Sequence, residues 1–296
     1  MPSPRKYLDP EVISKLSRLD LQARLVVEGF LSGLHQSPYK GFSQEFADYR
    51  PYMPGDEPRR IDWKVFARSD RYYIKQYLEE TNLRAYILFD ISGSMAYGDR
   101  ISKLEYAKYL CASLAYILSR QKDGVGIITF DSKIREYVPP SAKKVNLSRI
   151  LGVIDGAAAG GETSIADVLG ELAQKTKRRG LIIIVSDLLD QPESVVRAIR
   201  SFRFRKHEML VFQVLDKKEF SFPYADPALF KDLETDDEMI VYPAAIRASY
   251  QKHMEQFIAF YRRALLEVHI DCETVFTDTP YDQALIAFLH KRMKML

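Results

Sequence analysis

The sequence predicts an α/β fold built on a doubly wound, mostly parallel sheet, and two observations support this prediction. Between residues 85 and 276, short apolar segments of strand length alternate with longer segments of helical periodicity. Such alternation implies a parallel sheet that helices cover on both faces. In addition, the segments 126–130 and 181–185 are apolar at successive positions, as is typical of strands buried on both faces.

The predicted elements follow one another without long gaps. The strands are expected at residues 85–90, 124–130, 181–186, 208–214 and 269–276. The helices between them are expected at residues 102–120, 145–155, 164–177 and 192–202. Ser102-Lys103-Leu104-Glu105 has the pattern of a capping box, so the first helix is expected to begin there. Residues 133–138 are expected to form an edge strand that Pro139-Pro140 ends, because proline cannot donate to a sheet ladder.

The chain divides into two predicted parts. Residues 1–80 are expected to form an N-terminal extension, and residues 81–296 the α/β domain. Within that domain, a segment rich in proline, aspartate and aromatic residues predicts an irregular insertion at about 217–244. A long amphipathic helix is expected to follow it, from Ala245 to about Val268.

Composition indicates an ordinary globular protein. The 296 residues are 47% hydrophobic and 28% charged, and a net charge of +3 is too small to indicate a nucleic-acid partner. Cys111 and Cys272 have no short spacing, which favours reduced thiols over a disulfide framework. No apolar run approaches the roughly 20 residues that span a bilayer, and no hydrophobic segment follows the charges that begin at Arg5. We therefore expect no membrane span and a cytoplasmic location.

A carboxylate and two hydroxyls gather where the first predicted strand ends, in Asp90-Ile91-Ser92-Gly93-Ser94. Alternate residues of an extended segment project the same way, so Asp90 and Ser92 can face one point while Gly93 lets the chain return Ser94 to it. Oxygen donors suit a hard cation, with Mg2+ or Mn2+ ahead of Ca2+. The alternative is a strand-to-helix turn in which these side chains only cap backbone amides.

Two further segments support the metal interpretation. The strand 181–185 is followed by Ser186-Asp187, and Thr163 lies between the two strands on a glycine-rich loop. In a doubly wound sheet, ligands bind beyond the carboxyl ends of the strands, where the strand order reverses. If the strands ending at Asp90 and Asp187 are neighbours, their tips lie roughly 5 Å apart, and both carboxylates can serve one ion. The open coordination position would accept an Asp or Glu from a protein partner.

The five predicted ligands resemble, in their order along the chain, the metal-ion-dependent adhesion site of von Willebrand factor A domains. They are Asp90, Ser92, Ser94, Thr163 and Asp187. This resemblance implies a von Willebrand factor A-like, Rossmann-like domain that binds a protein partner through Mg2+.

Further motifs resemble the bacterial family called domain of unknown function 58. They are Gly41-Phe42-Ser43-Gln44-Glu45-Phe46, Tyr49-Arg50-Pro51-Tyr52-Met53-Pro54-Gly55-Asp56, Arg60-Ile61-Asp62-Trp63, Ala67-Arg68, Glu234-Thr235 and Tyr250. The resemblance extends from about Leu21 to Arg292. Members of that family are often encoded beside MoxR-type AAA+ ATPases, so the resemblance implies an adaptor or co-chaperone that works with such an ATPase.

A charged motif in the extension allows two interpretations. Arginine and tryptophan are common anchors of protein interfaces, which makes this motif a candidate partner-binding surface. The alternative is a set of ion pairs that fixes the extension, with the tryptophan as a packing residue. The candidate partner-binding residues are Arg59, Arg60, Asp62, Trp63 and Arg68.

Catalytic templates fit the sequence poorly. A haloacid-dehalogenase-type phosphatase needs a second Asp two positions after the first, where this chain has Ser92. A serine hydrolase needs a glycine two positions after its nucleophile, whereas Ala96 occupies that place after Ser94. The sequence therefore predicts a protein that is not an enzyme. A metal-dependent phosphoester hydrolase and a scaffold with an empty, vestigial metal loop stay open as alternatives.

Overall fold

The computed structural model describes residues 44–53, 61–79 and 83–279, apart from residues 99, 121, 163, 177, 235 and 236. These residues belong to two compact units, one within 31–82 and one that includes 83–279. The smaller unit pairs strand β1 (Gln44–Pro51) antiparallel with strand β2 (Tyr73–Glu79), with a bulge between Phe46 and Asp48. Helix α1 (Trp63–Ser69) lies between these two strands in the chain.

The larger unit is built on a six-stranded, mostly parallel sheet. Its strands are β3 (Arg84–Asp90), β4 (Gly124–Phe130), β5 (Ile134–Ser141), β6 (Leu181–Ser186), β7 (Glu208–Leu215) and β10 (Asp271–Phe276). They lie in the order β10-β7-β6-β3-β4-β5, and β5 alone of these six strands runs antiparallel to its neighbour. The chain leaves β3 toward β4 and later returns to the other side of β3 as β6. The sheet is therefore doubly wound, with its order reversing between β3 and β6, as predicted.

Helices cover both faces of this sheet. They are α2 (Lys103–Arg120), α3 (Lys144–Gly156), α4 (Ile165–Lys175), α5 (Pro192–Phe204) and α7 (Pro243–Leu266). On one face, buried side chains of α4, α5 and α7 form a cluster with Leu88, Ile184 and Val211 of the strands. Alternate residues of a strand point to opposite faces, so Ile87 and Phe89, both fully buried, point to the other face. Helix α2 contacts β3, β4, β6 and β7.

The predicted end of the edge strand at Pro139-Pro140 is wrong, because β5 continues through both prolines to Ser141. Among the described strands β5 pairs with β4 alone, so the prolines disrupt one ladder, whose register shifts between Val125 and Ile127. The buried Asn146 of α3 donates to one carbonyl on each strand of this ladder. Its Nδ2 donates to the carbonyl of Val125 at 2.6 Å and to that of Pro139 at 3.3 Å.

The segment expected as an irregular insertion contains regular structure. It begins with the short helix α6 (Lys217–Ser221), which a capping box between Asp216 and Glu219 starts. Strands β8 (Ala228–Lys231) and β9 (Glu238–Val241) then pair antiparallel as a hairpin. Helix α7 follows directly.

Two properties of the larger unit bear on its chemistry. Neither cysteine forms a disulfide within the described residues, and Cys111 is buried in α2 whereas Cys272 is half-buried in β10. None of the helices in the described part of the chain combines the length and the hydropathy that crossing a bilayer requires.

Candidate metal site at the strand tips

The two predicted carboxylates lie on adjacent strands at the point where the strand order reverses. Strands β3 and β6 are paired in parallel, with Phe89 opposite Val185. Asp90 is the last residue of β3, and Asp187 directly follows the last residue of β6. The expectation that these strands are neighbours is therefore confirmed. Both side chains have no exposure to solvent.

Both oxygens of the Asp90 carboxyl group accept hydrogen bonds. The backbone N–H of Ser92 donates to Oδ1 at 2.9 Å, and the Ser186 hydroxyl donates to Oδ2 at 2.5 Å. Burial, and then the negative charge of Asp187, raise the pKa of Asp90 to about 7, while the bonds from Ser186 and Ser92 act in the opposite direction. The site therefore disfavours an ionised Asp90 unless a positive charge lies beside it.

The two serine hydroxyls converge after Asp90. The Oγ atoms of Ser92 and Ser94 lie 3.1 Å apart, with Ser92 buried and Ser94 half-buried. A 3-10 turn (Gly93–Ala96) bends the chain here and brings Ser94 back toward Ser92. Asp90, Ser92 and Ser94 thus lie together as the sequence predicts.

The loop that carries Thr163 is attached to the loop that carries the serines, although Thr163 itself lies outside the described residues. Gly93 N donates to the carbonyl of Gly161 at 3.0 Å, and Gly160 N donates to the carbonyl of Ile91 at 3.0 Å. Gly161 has a φ of +82°, and a Cβ added to it would lie 2.8 Å from Oδ2 of Asp131. Only glycine suits both the backbone conformation and the close approach.

Asp187 has a cationic partner that sequence reasoning missed. Nζ of Lys103, the first residue of α2, lies 2.7 Å from Oδ2 of Asp187 and 2.6 Å from Oε1 of Glu219. Burial alone would lower the pKa of Lys103, but the adjacent carboxylates of Asp187 and Glu219 outweigh burial and raise it. Burial raises the pKa of Glu219, against the effect of the Lys103 charge. The other Asp187 oxygen, Oδ1, accepts from Leu189 N at 3.1 Å.

The missed residues had only weak signals in the sequence. Lys103 lies inside the predicted capping box, where a lysine is normally exposed, and Ser102 Oγ does accept from Glu105 N at 3.1 Å. Glu219 belongs to the Asp216-x-x-Glu219 capping pattern, which indicates a helix start but no ion pair. Ser186 could have been found, because it immediately precedes Asp187 and its hydroxyl joins the two strand tips.

The chemistry of these residues fits a divalent cation. The potential donors are carboxylate and hydroxyl oxygens, which Mg2+ prefers. With all four groups ionised, the carboxylates of Asp90, Asp187 and Glu219 exceed the Lys103 ammonium by two negative charges, equal to the charge of one such ion. A group of three His, Cys, Asp or Glu residues arranged for a metal is absent from the described part of the chain. The predicted site instead combines two carboxylates with serine hydroxyls.

A family model matches most of the chain. The model for "Protein of unknown function DUF58" aligns with residues 48–257. The chain belongs to the DUF58 family. The match spans described residues of both compact units, including β2 of the smaller unit and the two strand tips of the larger one.

Similar proteins extend this family assignment without adding a function. The uncharacterized protein Rv1480 of Mycobacterium tuberculosis strain H37Rv is 27% identical over 231 residues, which cover 77% of this chain and 72% of that protein. The structure of the conserved hypothetical protein BatB from Bacteroides thetaiotaomicron is 18% identical and has a TM-score of 0.47, covering 72% of this chain and 99% of that one. A von Willebrand factor type A structure from Catenulispora acidiphila is 11% identical and has a TM-score of 0.43. The match covers 75% of this chain and 44% of that one. At these TM-scores the two structural likenesses have no bearing on function.

The motif of this DUF58 chain in the smaller unit is only partly described, since Arg59 and Arg60 lie outside the described residues. Asp62 is buried at the start of α1, where Phe66 N donates to its carbonyl at 3.0 Å. Trp63 is 59% exposed and packs edge-on against Phe66, with ring centroids 6.0 Å apart. Arg68 is exposed. Trp63 is therefore not a buried packing residue, and a role in partner binding stays a prediction.

Proposed function

We propose that this DUF58 protein is a protein-binding module that depends on a divalent metal ion, Mg2+ or Mn2+. The observation that carries the proposal is the convergence of Asp90, Ser92 and Ser94 beside Asp187 at the reversal of strand order. Doubly wound sheets bind their ligands at this position. Asp90, Ser92, Ser94, Thr163 and Asp187 would hold the ion, some of them through water.

An ion held in this way recognises carboxylates. Two of its five protein ligands are charged, and Lys103 already offsets much of the charge of Asp187. The ion therefore stays electrophilic and attracts an Asp or Glu side chain of a partner to its open position. On the resemblance of its motifs, we propose a MoxR-type AAA+ ATPase as that partner, with this chain as its adaptor or co-chaperone.

Binding is favoured over phosphoester hydrolysis by the state of the nearby ionisable groups. A hydrolase needs a general base that can take a proton from water. Lys103 is held protonated by two carboxylates, and Asp90 is fully buried with hydrogen bonds to both oxygens. Within the described residues of the two strand tips, neither group is placed to act on solvent.

Titration calorimetry of the full chain with Mg2+ and Mn2+ tests the metal. One site is expected, abolished in Asp90→Ala and retained in Asp226→Ala, which removes an exposed carboxylate of the insertion. If the wild-type protein gives no heat of binding, the result would instead support the alternative of a scaffold whose metal loop is empty. Undiminished binding in Asp90→Ala would overturn the assignment of the site.

Capture of the purified ATPase tests the partner. Retention should require Mg2+ or Mn2+ and should be lost in EDTA and in Thr163→Ala. Substitution of a single acidic residue of the ATPase should reproduce that loss. A complex that forms equally well in chelator would contradict binding through the ion, and would direct attention to Arg60 and Trp63.

A further inference from the structure

The tip of the β8–β9 hairpin lies against the loop that carries the two serines. A Cβ added to Gly93 would lie 2.5 Å from the carbonyl oxygen of Leu233 and 3.0 Å from Cγ of Glu234. Gly93 stands between Ser92 and Ser94, so Cγ of Glu234 lies beside the backbone that joins the two predicted hydroxyl ligands. The predicted ligand set does not include Glu234, although Glu234-Thr235 is among the motifs that resemble the family.

The hairpin is held in that place by packing and hydrogen bonds. Phe230 of β8 stacks on Phe222 at 5.7 Å and packs edge-on against Tyr224 at 5.2 Å. Tyr224 in turn shares a short hydrogen bond with the hydroxyl of Tyr97, immediately after the 3-10 turn. Arg247 of α7 donates to the carbonyls of Phe222 and Tyr224 at 3.2 and 2.6 Å. These contacts within the larger unit hold the tip of the hairpin against Gly93.

The turn also fixes the backbone of Glu234. Its N–H donates to Oδ1 of Asp232 at 2.7 Å, an Asx-type turn that sets the direction of the chain at the tip. The side chain of Glu234 is half-buried. A half-buried carboxylate on a fixed turn loses little conformational freedom when it binds a cation beside it.

We propose that Glu234 is an internal carboxylate ligand of the metal site and takes the coordination position that a partner's Asp or Glu would otherwise occupy. This inference rests on the proposed metal-dependent binding function and deepens it. Carboxylate oxygens are preferred ligands of Mg2+ and Mn2+. A partner carboxylate must displace Glu234, so the hairpin tip lowers the affinity for weak acidic ligands and sets a threshold for binding.

The experiment uses the full chain, Mn2+ as the probe and the variant Glu234→Gln. Glutamine keeps the size of the side chain and removes its charge. Glu238→Gln is the matched control, because Glu238 is an exposed carboxylate of the same hairpin, opposite Lys231 in the pair next to the turn. Mn2+ affinity is measured by calorimetry, and the water bound to the ion by the relaxation of water protons.

Glu234→Gln is expected to bind Mn2+ at least about tenfold more weakly, because even the residues that only support a metal's ligands contribute tenfold or more to affinity. Its bound Mn2+ should relax water protons faster than in wild type, because water replaces the lost carboxylate. Glu238→Gln should match wild type in both measurements. Equal affinity and equal relaxation in Glu234→Gln and wild type, with binding still lost in Asp90→Ala, would overturn the role of Glu234 and leave the metal site standing. Wild-type protein that binds no Mn2+ would overturn the metal site itself.

Discussion

Nζ of Lys103 lies 2.7 Å from Oδ2 of Asp187, and neither side chain is exposed to solvent. The same ammonium contacts Glu219 at 2.6 Å, so one buried cation serves two carboxylates. Lys103 and Asp187 lose their hydration in this place and Glu219, which is 14% exposed, loses most of it, so the attraction between the three groups must compensate. The arrangement makes Lys103 the resident positive charge of the candidate metal site.

Removing this charge should strongly destabilise the larger unit. Lys103→Met leaves the fully buried Asp187 without its counter-charge, which typically costs about 3–5 kcal/mol. We expect a loss of that size in the free energy of unfolding, measured by urea titration in EDTA. Added Mg2+ should restore part of the loss if the ion binds beside Asp187.

The exposed pair Lys217–Asp278 provides the control for that measurement. Its N–O distance of 2.8 Å is nearly the same, but the two side chains are 69% and 45% exposed. Lys217→Met should therefore change stability far less than Lys103→Met, because water already solvates both charges. Equal losses in the two variants would mean that burial does not determine the strength of the Lys103 contact.

Two glycine substitutions should act in opposite directions. A Cβ on Gly126 in β4 would lie 2.6 Å from the carbonyl oxygen of Val138 and 2.7 Å from N of Pro140, so the adjacent strand must shift. Gly126→Ala should lower the free energy of unfolding by about 1–3 kcal/mol. A Cβ added to Gly152 in α3 would meet no atom within 4 Å among the described residues beyond its own stretch of helix. Gly152→Ala should raise the same free energy by about 0.5–1 kcal/mol, and chemical denaturation of both variants checks the signs.

Buried strands were the most predictable part of this fold. Strands 124–130 and 181–186 were predicted to the residue, because uninterrupted apolar runs such as Leu181 to Val185 occur where both faces are covered. The parallel pairing of β3 with β6 places Asp90 and Asp187 at adjacent strand tips. Partially exposed elements were less predictable, since the β8–β9 hairpin carries apolar residues such as Leu229 and Ile240 at exposed positions, where hydropathy does not follow burial.

Contacts between distant segments account for what the sequence did not reveal. Lys103 and Glu219 are 116 residues apart, and neither has a neighbour in the chain that indicates an ion pair. The approach of Glu234 to Gly93 likewise depends on the packing of Phe222, Tyr224 and Phe230. Local patterns predict a helix start or a turn, but not the partner that a tertiary fold brings to it.

Trp63 should matter more for binding than for stability. It is 59% exposed, whereas Phe66 is half-buried and stacks on Tyr72 with centroids 4.5 Å apart. Trp63→Ala should change the free energy of unfolding by no more than about 0.5 kcal/mol, and Phe66→Ala should lower it clearly more. Thermal unfolding and retention of the ATPase are measured on both variants. A Trp63→Ala protein that retains the ATPase fully would exclude this residue as an interface anchor.

Asp123, at the start of β4, should make stability depend on pH. Its side chain is buried, and its Oδ2 has no hydrogen-bond partner among the described residues. Burial raises the pKa of this carboxyl group from the ordinary value of 3.8 to about 7, against a bond from the backbone of Leu83. Between these two values the folded chain holds a proton that the unfolded chain has released. The stability that this extra proton on Asp123 contributes is therefore complete below about pH 4 and is lost as the pH rises through 7.

Asp123→Asn removes this titration and keeps the shape of the side chain. Relative to wild type, the variant should gain about 3 kcal/mol between pH 5 and pH 8.5, since two pH units of linked protonation correspond to that free energy. Urea unfolding of both proteins at several pH values measures the free energy of unfolding. Subtracting the wild-type value from the variant's at each pH cancels the contribution of groups that titrate alike in both. A second variant, Asp226→Asn, changes an exposed carboxylate of the same unit and should show no such trend. A difference between wild type and Asp123→Asn that stays constant from pH 5 to 8.5 would mean that Asp123 is ionised in the folded protein, and that solvent reaches its carboxylate.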